Sequence, residues 1–438
     1  MAGITIFEFD TLAALPASSP DMVGLRKVSA EVFAWLEAQA LRSTEAGNAA
    51  WLRLTQRHGR KAIQVKSFVG VIRCPNGFQI EVLPKLGRTN GEEEARQLLI
   101  EMLYSLGCFR HIQTSSAQLL ARRMPLLEVF IGEFLQAVDH TIKRGLRSDY
   151  LAKQDNLLAL RGKLHMAQHL RLNLCRRDRF FTEYDEFSLN RPENRLLHAA
   201  LRRVLTWTAS QANQQLAREL CFVFADIPTS GQSNTDFARV RPDRSMAHYD
   251  SALSWARLIL QDESPLTGIG QCQAPSLLFP MEAVFEAFVA KHLTRQLNSG
   301  FNLHLQIRSL KLVRHEEQDW FQLKPDLLVQ AAKTNRLVLD TKWKLIDAKK
   351  ANRKEKYGLD QSDFYQMQAY GQSYLGGDGN VVLIYPKTEN FVQPLAVFDF
   401  PKSPTLRLWV LPFCLHTKRM LLPPCGSLDP YFSPNSFA

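Results

Sequence analysis

The sequence lacks the features that define several large classes of protein. It has no apolar run near the roughly 18 residues that a membrane-spanning helix needs, so no membrane association is expected. No basic segment followed by an apolar one opens the chain, which argues against a secretory signal peptide. The seven cysteines are scattered and never fall in CxxC or HxxC spacing, which argues against structural zinc and fits reduced thiols. Together these absences predict a soluble, cytoplasmic protein.

Motifs that bind nucleotide phosphates are also missing. The sequence contains no GxxxxGK[ST] phosphate loop and no GxGxxG after a predicted strand, so we expect this chain alone to bind no nucleotide. Positive charge, by contrast, is in excess. The chain has 54 Lys and Arg residues against 43 Asp and Glu residues, a formal net charge of +11. That excess favours polyanionic partners such as nucleic acids.

The pattern of predicted elements changes along the 438 residues, a length sufficient for two or three domains. Apolar alternation predicts a mostly β module over residues 1–91, and apolar stripes predict a helical middle region over residues 92–262. The Gly-, Pro- and Ser-rich segment DESPLTGIGQCQAPS precedes a mixed region of helices and strands, assigned to residues 263–415. A tail, residues 416–438, follows. The expected fold class is therefore α+β with several domains, of which the last is α/β.

Two acidic residues interrupt strand-like runs of the mixed region. Asp326 lies in LKPDLLV and Asp340 in RLVLDTKWK, and the polar segment between them predicts a turn. A turn centred near Lys333 would place Asp326 and Asp340 opposite each other in an antiparallel pair. Opposed Cβ atoms lie roughly 4.5–5.5 Å apart, close enough for two carboxylates to share one divalent cation. Alternation also places Lys342 on the face of Asp340.

These residues form the metal-nuclease motif PD-(D/E)xK, written here as Pro325-Asp326 and Asp340-Thr341-Lys342. Mg²⁺ prefers carboxylate oxygens together with substrate phosphate, and it lowers the pKa of a bound water. Lys342 would orient or deprotonate that water, or neutralise charge that develops on the phosphate. We expect Mg²⁺ as the cofactor, with Mn²⁺ able to replace it. The motif is degenerate, and the alternative is a turn residue followed by a solvated edge ion pair.

The flanking segments add further candidate residues. The run PMEAVFEAFVAKHLTRQL predicts a helix that opens at Pro280 and carries Glu286, the candidate third acid, although Glu282 shares its face. A later helix places Gln366 and Tyr370 four residues apart on one face. The spacing resembles the QxxxY element of RecB-like nucleases. The order helix–strand–hairpin–helix–strand is expected of a restriction-endonuclease-like core.

Two basic segments are candidates for binding polyanions. One lies beside the predicted acidic site, and we expect its side chains to contact DNA phosphates: Lys344, Lys349, Lys350 and Arg353. The other is Arg-rich, runs from Arg161 to Arg179, and is followed by the aromatic residues Phe180 and Phe181. It fits phosphate binding with base stacking, or a solvated basic face with the aromatic residues packed inward.

Sequence blocks over most of the chain resemble the McrC family, the nuclease subunit of the McrBC modification-dependent restriction system. The blocks that carry this resemblance are ITIFEFDTL, FVGVIR, GFQIEVLPK, RGKLH, YDEFS, RPENRLL, HYDSALSWARLIL, LKPDLLV, VLDTKWK and YQMQAY. One departure is Leu189-Asn190, where the family often has an acidic residue, and we attach no catalytic role to it.

The resemblance implies a partner and a division of labour. The partner would be McrB, a hexameric AAA+ GTPase that carries the reader of modified cytosine and translocates DNA. Residues 1–262 would dock on that ring and stimulate its GTPase, while the C-terminal region would cut double-stranded DNA as an Mg²⁺-dependent endodeoxyribonuclease. This chain alone is then expected not to recognise methylated DNA. The resemblance also implies a third option for the segment Arg161 to Arg179, a surface that docks on an acidic partner. Two alternatives stay open: a stand-alone RecB-like nuclease, and a non-catalytic adaptor of an AAA+ motor.

Overall fold

The N-terminal module consists of two small sheets and one helix. The computed structural model describes residues 3–16, 24–45, 51–88, 91–106, 124–241, 244–261, 277–307, 309–424 and 426–432. The elements of this module are β1 (Gly3–Phe7), β2 (Thr11–Ala14), β3 (Leu25–Val28), α1 (Ala30–Glu45), β4 (Leu52–Arg57), β5 (Arg60–Val65), β6 (Phe68–Arg73) and β7 (Gln79–Leu83). The predicted β character of residues 1–91 is thus seen in the described part.

Local sequence explains several of these elements. The Ser29 hydroxyl accepts a hydrogen bond from the Val32 N–H at 3.3 Å, the N-cap contact that starts α1. His58 and Gly59 both have positive φ, as a two-residue hairpin turn between β4 and β5 requires. One sheet has the order β3-β2-β5-β4, and α1 packs its apolar face on Leu52, Ile63 and Val65. In the other sheet β7 lies between β1 and β6.

The middle region, predicted to be helical, contains helices and also a three-stranded sheet that was not predicted. Its elements are α2 (Glu92–Leu103), α3 (Leu126–Arg144), β8 (Asp149–Leu157), β9 (Lys163–Leu164), α4 (Met166–Asn173), β10 (Phe180–Ser188), α5 (Pro192–Leu205), α6 (Gln211–Val223), α7 (Ser233–Arg239) and α8 (Asp250–Gln261). The sheet has the order β8-β10-β9. It escaped prediction because polar and apolar residues do not alternate regularly along its strands.

The C-terminal region is built on one large mixed sheet. Its elements are β11 (Leu278–Pro280), α9 (Met281–Leu293), β12 (Asn302–Leu305), β13 (Leu310–His315), β14 (Gln318–Leu323), β15 (Leu327–Ala331), β16 (Thr334–Thr341), α10 (Gln361–Leu375), β17 (Gly379–Pro386), β18 (Phe398–Phe400), β19 (Ser403–Cys414) and β20 (Arg419–Met420). The strand order is β12-β15-β16-β17-β19-β18, and β20 pairs with β19. The predicted order of helix, strand, hairpin, helix and strand is present.

Both faces of this sheet are buried, one under each long helix. Leu337 and Leu339 of β16 share a core with Phe285 of α9, whereas Val338 shares a core with Met367 of α10. Alternate residues of β16 therefore pack into the cores on opposite sides of the sheet, as the two-residue period of a strand requires. This sandwich fixes the end of β16, where Asp340 lies.

Several element predictions need correction. Alternation at Leu303, Leu305 and Ile307 predicts one strand over LHLQIRSLKLV, but the chain turns at Gln306, which has φ of 46°, and then enters the unpredicted β13–β14 hairpin. The polar stretch ADIPTSGQSNTDFARVRPDR predicts a loop, but part of it forms α7. The Pro and Ser residues of the tail predict poor order from Pro423, but Leu428 and Phe432 are buried there, and β20, just before Pro423, belongs to the large sheet.

The N-terminal and C-terminal regions are joined directly. Strand β11, which lies in the segment assigned to the C-terminal domain, pairs antiparallel with β6 of the N-terminal module. The predicted linker, residues 262–276, lies outside the described residues. The domain boundaries drawn from the sequence therefore stay predictions. None of the described helices is long and apolar enough to cross a membrane.

Candidate active site at the end of the central hairpin

The β15–β16 hairpin brings Asp326 and Asp340 to opposite positions. Its two-residue turn consists of Ala332 and Lys333, both with positive φ, and Ala331 pairs with Thr334. The register then shifts by one residue between Val329 and Gln330, so that Leu327 pairs with Leu339. Continued by one residue, this register places Asp326 opposite Asp340. Without the bulge Asp326 would face Leu339, because a slip of one residue turns every side chain to the other face.

The two carboxylates have different surroundings. Asp340 is almost fully buried, and its Oδ2 lies 2.7 Å from the Lys342 Nζ. Asp326 is partly buried, and its Oδ2 accepts hydrogen bonds from the Thr341 N–H at 2.8 Å and from the Thr341 hydroxyl at 2.7 Å. Thr341, the variable residue of the DxK motif, thus positions the first aspartate of the pair. Sequence reasoning had given it no role.

A chain of hydrogen bonds connects Lys342 with α10. The Lys342 Nζ donates to the Gln366 Oε1 at 3.0 Å, and the Gln366 Nε2 donates to the Tyr370 hydroxyl at 2.8 Å. That hydroxyl donates in turn to the carbonyl oxygen of Lys324 at 2.9 Å, two residues before Asp326. Gln366 and Tyr370 therefore connect the two strands that carry the acidic pair, and they hold the amine of Lys342.

Glu286 on α9 completes the acidic group. Its Oε1 accepts a hydrogen bond from the Gln306 side chain at 2.8 Å, and the Gln306 N–H donates to the carbonyl oxygen of Asp326 at 2.9 Å. Glu282 also lines the cleft, but its side chain is exposed one turn away. Of these two, the carboxylate of Glu286 interacts electrostatically with that of Asp326. The structure therefore favours Glu286 over Glu282 as the third acid.

Burial and mutual repulsion shift the titration of these groups. Burial, and then the nearby Asp326 carboxylate, raise the pKa of Asp340 and of Glu286 to about 7. Burial alone would lower the pKa of Lys342, but the attraction of the Asp340 carboxylate outweighs it and raises that pKa. Lys342 is therefore an ammonium at neutral pH. The negative charge of the carboxylates is incompletely compensated.

The donor set fits a hard divalent cation. Such ions take carboxylate oxygens, and a positive ion would relieve the repulsion that raises the two pKa values. As the side chains are placed, no group of three or more His, Cys, Asp and Glu residues in the described ranges has the geometry to hold a metal. Asp340 is turned to Lys342, Asp326 to Thr341 and Glu286 to Gln306. These side chains would have to rotate for their oxygens to share one cation.

The acidic group opens into a cleft of about 610 Å³ that both halves of the chain line. The cleft residues are Phe9, Arg53, Gln64, Lys66, Ser67, Lys85, Glu282, Glu286, Asp326, Asp340, Thr341, Lys342, Trp343, Lys344, Asp360 and Gln366. Of the predicted DNA-binding residues only Lys344 is among them, paired with Asp360 at 2.6 Å. The other three, Lys349, Lys350 and Arg353, lie exposed on the following loop and do not line the cleft.

Comparison with known proteins identifies the family. Residues 63–386, most of the chain, match the family described as McrBC 5-methylcytosine restriction system component. The chain belongs to this McrBC family. The resemblance inferred from the sequence is thereby confirmed. No curated protein matches the sequence.

Solved structures of the McrBC family share the fold. One is a half-complex from the tetradecameric assembly of Thermococcus gammatolerans McrB AAA+ hexamers with bound McrC. It is 18% identical, with a TM-score of 0.66 over 94% of this chain and 95% of that chain. Another is the cryo-EM structure of the Thermococcus gammatolerans McrBC complex, 20% identical, with a TM-score of 0.50 over 67% of this chain and 88% of that chain. At these identities the likeness shows the fold alone.

In this McrBC family member, residues far away in the sequence complete the site. The Trp343 indole N–H lies 3.0 and 3.1 Å from the two carboxylate oxygens of Glu8, which is fully buried. The Lys85 Nζ donates to the carbonyl oxygen of Trp343 at 3.0 Å. Sequence reasoning missed both contacts. Glu8 and Lys85 lie in blocks that carry the family resemblance, which was the only signal for them.

Proposed function

We propose that this chain is the DNA-cleaving subunit of a McrBC-type restriction system, a Mg²⁺-dependent endodeoxyribonuclease of the PD-(D/E)xK type. The observation that carries the proposal is the convergence of Asp326, Asp340 and Lys342 at the end of one hairpin, facing a cleft. Glu286 adds a third carboxylate to the same cleft. A structural ion pair would not need three neighbouring acids whose charge is so poorly compensated.

The proposed roles follow from the contacts of each side chain. Asp326, Asp340 and Glu286 would hold Mg²⁺, or Mn²⁺ in its place, which supplies polarisation of the scissile phosphate and a water of lowered pKa. The Lys342 ammonium would donate hydrogen bonds to the phosphate or to the attacking water and neutralise developing negative charge. The Asp340 carboxylate raises the pKa of Lys342, which favours the donor role over the base role. Gln366 and Tyr370 would keep its amine in place.

We also propose that residues 1–262 dock on an AAA+ GTPase ring of the McrB type and stimulate its GTPase. The solved relative is a McrC bound to McrB hexamers. In this chain, the sheet β8-β10-β9, helix α4 and the loops that adjoin them expose several large apolar side chains, as a partner surface would: Tyr150, Leu158, Leu160, Met166, Leu170, Leu174 and Phe187.

The Arg-rich segment belongs to the same surface. Phe180 stacks on His169 and Phe181 packs edge-on against His165, so these rings are engaged within the module. That packing disfavours base stacking by these aromatic residues. The exposed Arg171, Arg176 and Arg177, with the half-buried Arg179, instead suit a docking surface for an acidic partner.

The test reconstitutes the chain with its partner GTPase and DNA that contains 5-methylcytosine. We expect Mg²⁺-dependent double-strand cleavage that Asp340→Asn abolishes, while stimulation of GTP hydrolysis is retained. Cleavage by Asp340→Asn at the wild-type rate would overturn the catalytic assignment and favour an adaptor. Efficient degradation of linear DNA by the chain alone would favour the stand-alone nuclease. Calorimetric titration with Mg²⁺ should show a site in the wild type that weakens in Asp340→Asn and in Glu286→Gln.

A further inference from the structure

The two walls of the cleft differ in charge. The C-terminal wall carries every acid among the described lining residues: Glu282, Glu286, Asp326, Asp340 and Asp360. Its cations are Lys342 and Lys344. The wall from the N-terminal module carries three cations and no acid among the lining residues that the structure describes: Arg53, Lys66 and Lys85. A module assigned to partner docking thus supplies most of the positive charge in the candidate active site.

Two of the N-terminal cations lie on or next to a β-sheet that packs against helix α1. Arg53 of β4 stands opposite Gln64 of β5, and both side chains line the cleft. Lys66 follows β5 directly, and its backbone N–H donates to the carbonyl oxygen of Trp51 at 2.9 Å. On the reverse side of β5, Ile63 and Val65 are buried under α1. The packing of Ile63 and Val65 against α1 therefore fixes the opposite face of the sheet, which carries Arg53 and Lys66.

The two walls are also fixed to each other. The contacts of Trp343 with Glu8 and Lys85 bind the residue after Lys342 to the N-terminal module. At the mouth of the cleft the Met281 N–H donates to the carbonyl oxygen of Ser67 at 3.0 Å, so helix α9 with Glu286 starts from that module. These contacts therefore fix the distance between the N-terminal cations and the acids.

The cations differ in whether they already have a partner. Lys342 and Lys344 are paired with carboxylates, and Lys85 is held by the Trp343 carbonyl and lies over the rings of Phe9 and Trp343. Arg53 and Lys66 form no ion pair within the described parts of the chain. Their charges remain available to a ligand.

A polyanion entering this cleft would meet five carboxylates on one side. Even with a divalent cation bound, the substrate backbone needs positive charge on the other side to be held there. We propose that Arg53 and Lys66 bind backbone phosphates of the DNA substrate, opposite the catalytic acids, so that the N-terminal module forms part of the nuclease site. This inference rests on the proposed nuclease function and deepens it. Phosphate contacts of this kind fix the position of the duplex without reading its sequence.

The experiment removes the two charges and measures the salt dependence of DNA binding. The full chain in the Asp340→Asn background, which prevents cleavage, binds a fluorescent duplex of 30 base pairs at a series of salt concentrations. Loss of two phosphate contacts in Arg53→Gln/Lys66→Gln should lower the slope of log K against log salt by about 1.8, at roughly 0.9 per contact. Arg53→Lys should keep the slope, because it keeps the charge.

The control is Lys61→Gln. Lys61 lies on the same sheet, but its side chain points to the opposite face and pairs with Glu37 at the surface. Lys61→Gln removes one positive charge outside the cleft. The slope of log K against log salt for this variant should therefore equal that of the parent. With the partner ring and an intact Asp340, Arg53→Gln/Lys66→Gln should raise KM for cleavage about thirtyfold near 150 mM salt and leave kcat unchanged, since a slope lower by about 1.8 corresponds to about 1.5 log units between 1 M and 0.15 M salt.

The outcomes separate this inference from the function on which it rests. If the Asp340→Asn parent binds DNA and the chain with intact Asp340 cuts it, while Arg53→Gln/Lys66→Gln leaves both the slope and KM unchanged, the inference is wrong and the nuclease assignment stands. If the Asp340→Asn parent does not bind DNA and the chain with intact Asp340 does not cut it with the partner ring, the proposed function and the inference fall together. A thermal melt of each variant checks folding, and Arg53→Lys supports a charge effect if Arg53→Gln proves unstable.

Discussion

The Lys342 Nζ lies 3.0 Å from the Gln366 Oε1, so a helix on one face of the sheet holds the amine at the end of a central strand. Gln366→Leu removes this acceptor and keeps the approximate volume of the side chain. A hydrogen bond to a charged group contributes about 1.5–3 kcal/mol, and 1.4 kcal/mol corresponds to a factor of ten. We expect kcat for DNA cleavage to fall roughly ten- to a hundredfold, with KM nearly unchanged, as a positioning role requires.

Gln368→Leu is the matched control, since Gln368 lies on the same helix and does not line the cleft. It should cleave DNA like the wild type. Tyr370→Phe leaves the Lys342–Gln366 contact in place and removes the hydrogen bond to the Lys324 carbonyl, so it should lower kcat less. Equal kcat values for Gln366→Leu and Gln368→Leu would show that Lys342 is positioned without Gln366.

The contact between Trp343 and Glu8 should couple the stability of the two halves. Trp343→Phe leaves a buried carboxylate with fewer donors, which costs about 1–3 kcal/mol for an unsatisfied group. Glu8→Gln keeps an acceptor and removes the charge. Because the two side chains touch, their effects on the free energy of unfolding should be non-additive by about 0.5–3 kcal/mol. Urea unfolding of wild type, both single variants and the double variant measures this coupling, and strict additivity would contradict it.

The hairpin with Asp326 and Asp340 was predictable because its signals are local. Apolar alternation, a polar turn and the spacing of the acids all lie within residues 323–344. The bulge at Val329/Gln330 was not predictable, yet it alone reconciles the position of the turn with the opposed aspartates. The sequence predicts a turn centred on Lys333, whereas the observed turn is centred between Ala332 and Lys333. The bulge cancels this difference of half a residue.

Contacts over long sequence separations could not be predicted. Glu8 and Trp343 are 335 positions apart, and Lys85 and Trp343 are 258 apart. Such pairs are set by how sheets pack, which periodicity within one segment does not specify. The strands β8 and β10 were missed for a different reason. Their polar and apolar residues do not alternate regularly, so pairing between the strands defines them and apolar alternation does not.

Gly70 should be essential for joining the N-terminal sheet to β11. Its φ of +127° is strained for other residues, and a Cβ there would collide with the carbonyl oxygen of Leu277. That oxygen accepts a hydrogen bond from the Val71 N–H at 3.0 Å, so it cannot move away freely. We expect Gly70→Ala to separate β11 from β6 and to lower the melting temperature strongly. Protection of the β11 amides in hydrogen exchange should be lost with it.

Gly59→Ala is the control for backbone strain alone. Gly59 also has positive φ, at +74°, but a Cβ there meets no atom within 4 Å. A left-handed conformation costs an alanine about 1–2 kcal/mol. Gly59→Ala should therefore destabilise the protein modestly and leave the β11 amides protected. If Gly70→Ala behaved like Gly59→Ala, the close approach of the Leu277 carbonyl would not matter for stability.

The buried carboxyl of Glu8 should make folding stability depend on pH. Burial raises its pKa to about 7, against the lowering effects of the Lys85 ammonium and N–H, the Trp343 indole and the Ser67 hydroxyl. In the unfolded chain its pKa is about 4.3. The folded state therefore binds the proton more tightly, and the stability that this gives is complete below about pH 4. It is lost as pH rises through about 7.

The measurement compares the free energy of unfolding of wild type and Glu8→Gln between pH 5 and pH 8. Because the glutamine cannot ionise, the wild type should lose stability relative to Glu8→Gln over this range. Trp343→Phe removes one of the contacts that lower the pKa of Glu8, so the same loss should extend to higher pH in that variant. A difference between wild type and Glu8→Gln that stayed constant from pH 5 to pH 8 would mean that Glu8 is already ionised at pH 5. Its carboxylate would then be stabilised by Lys85 more strongly than it is destabilised by burial.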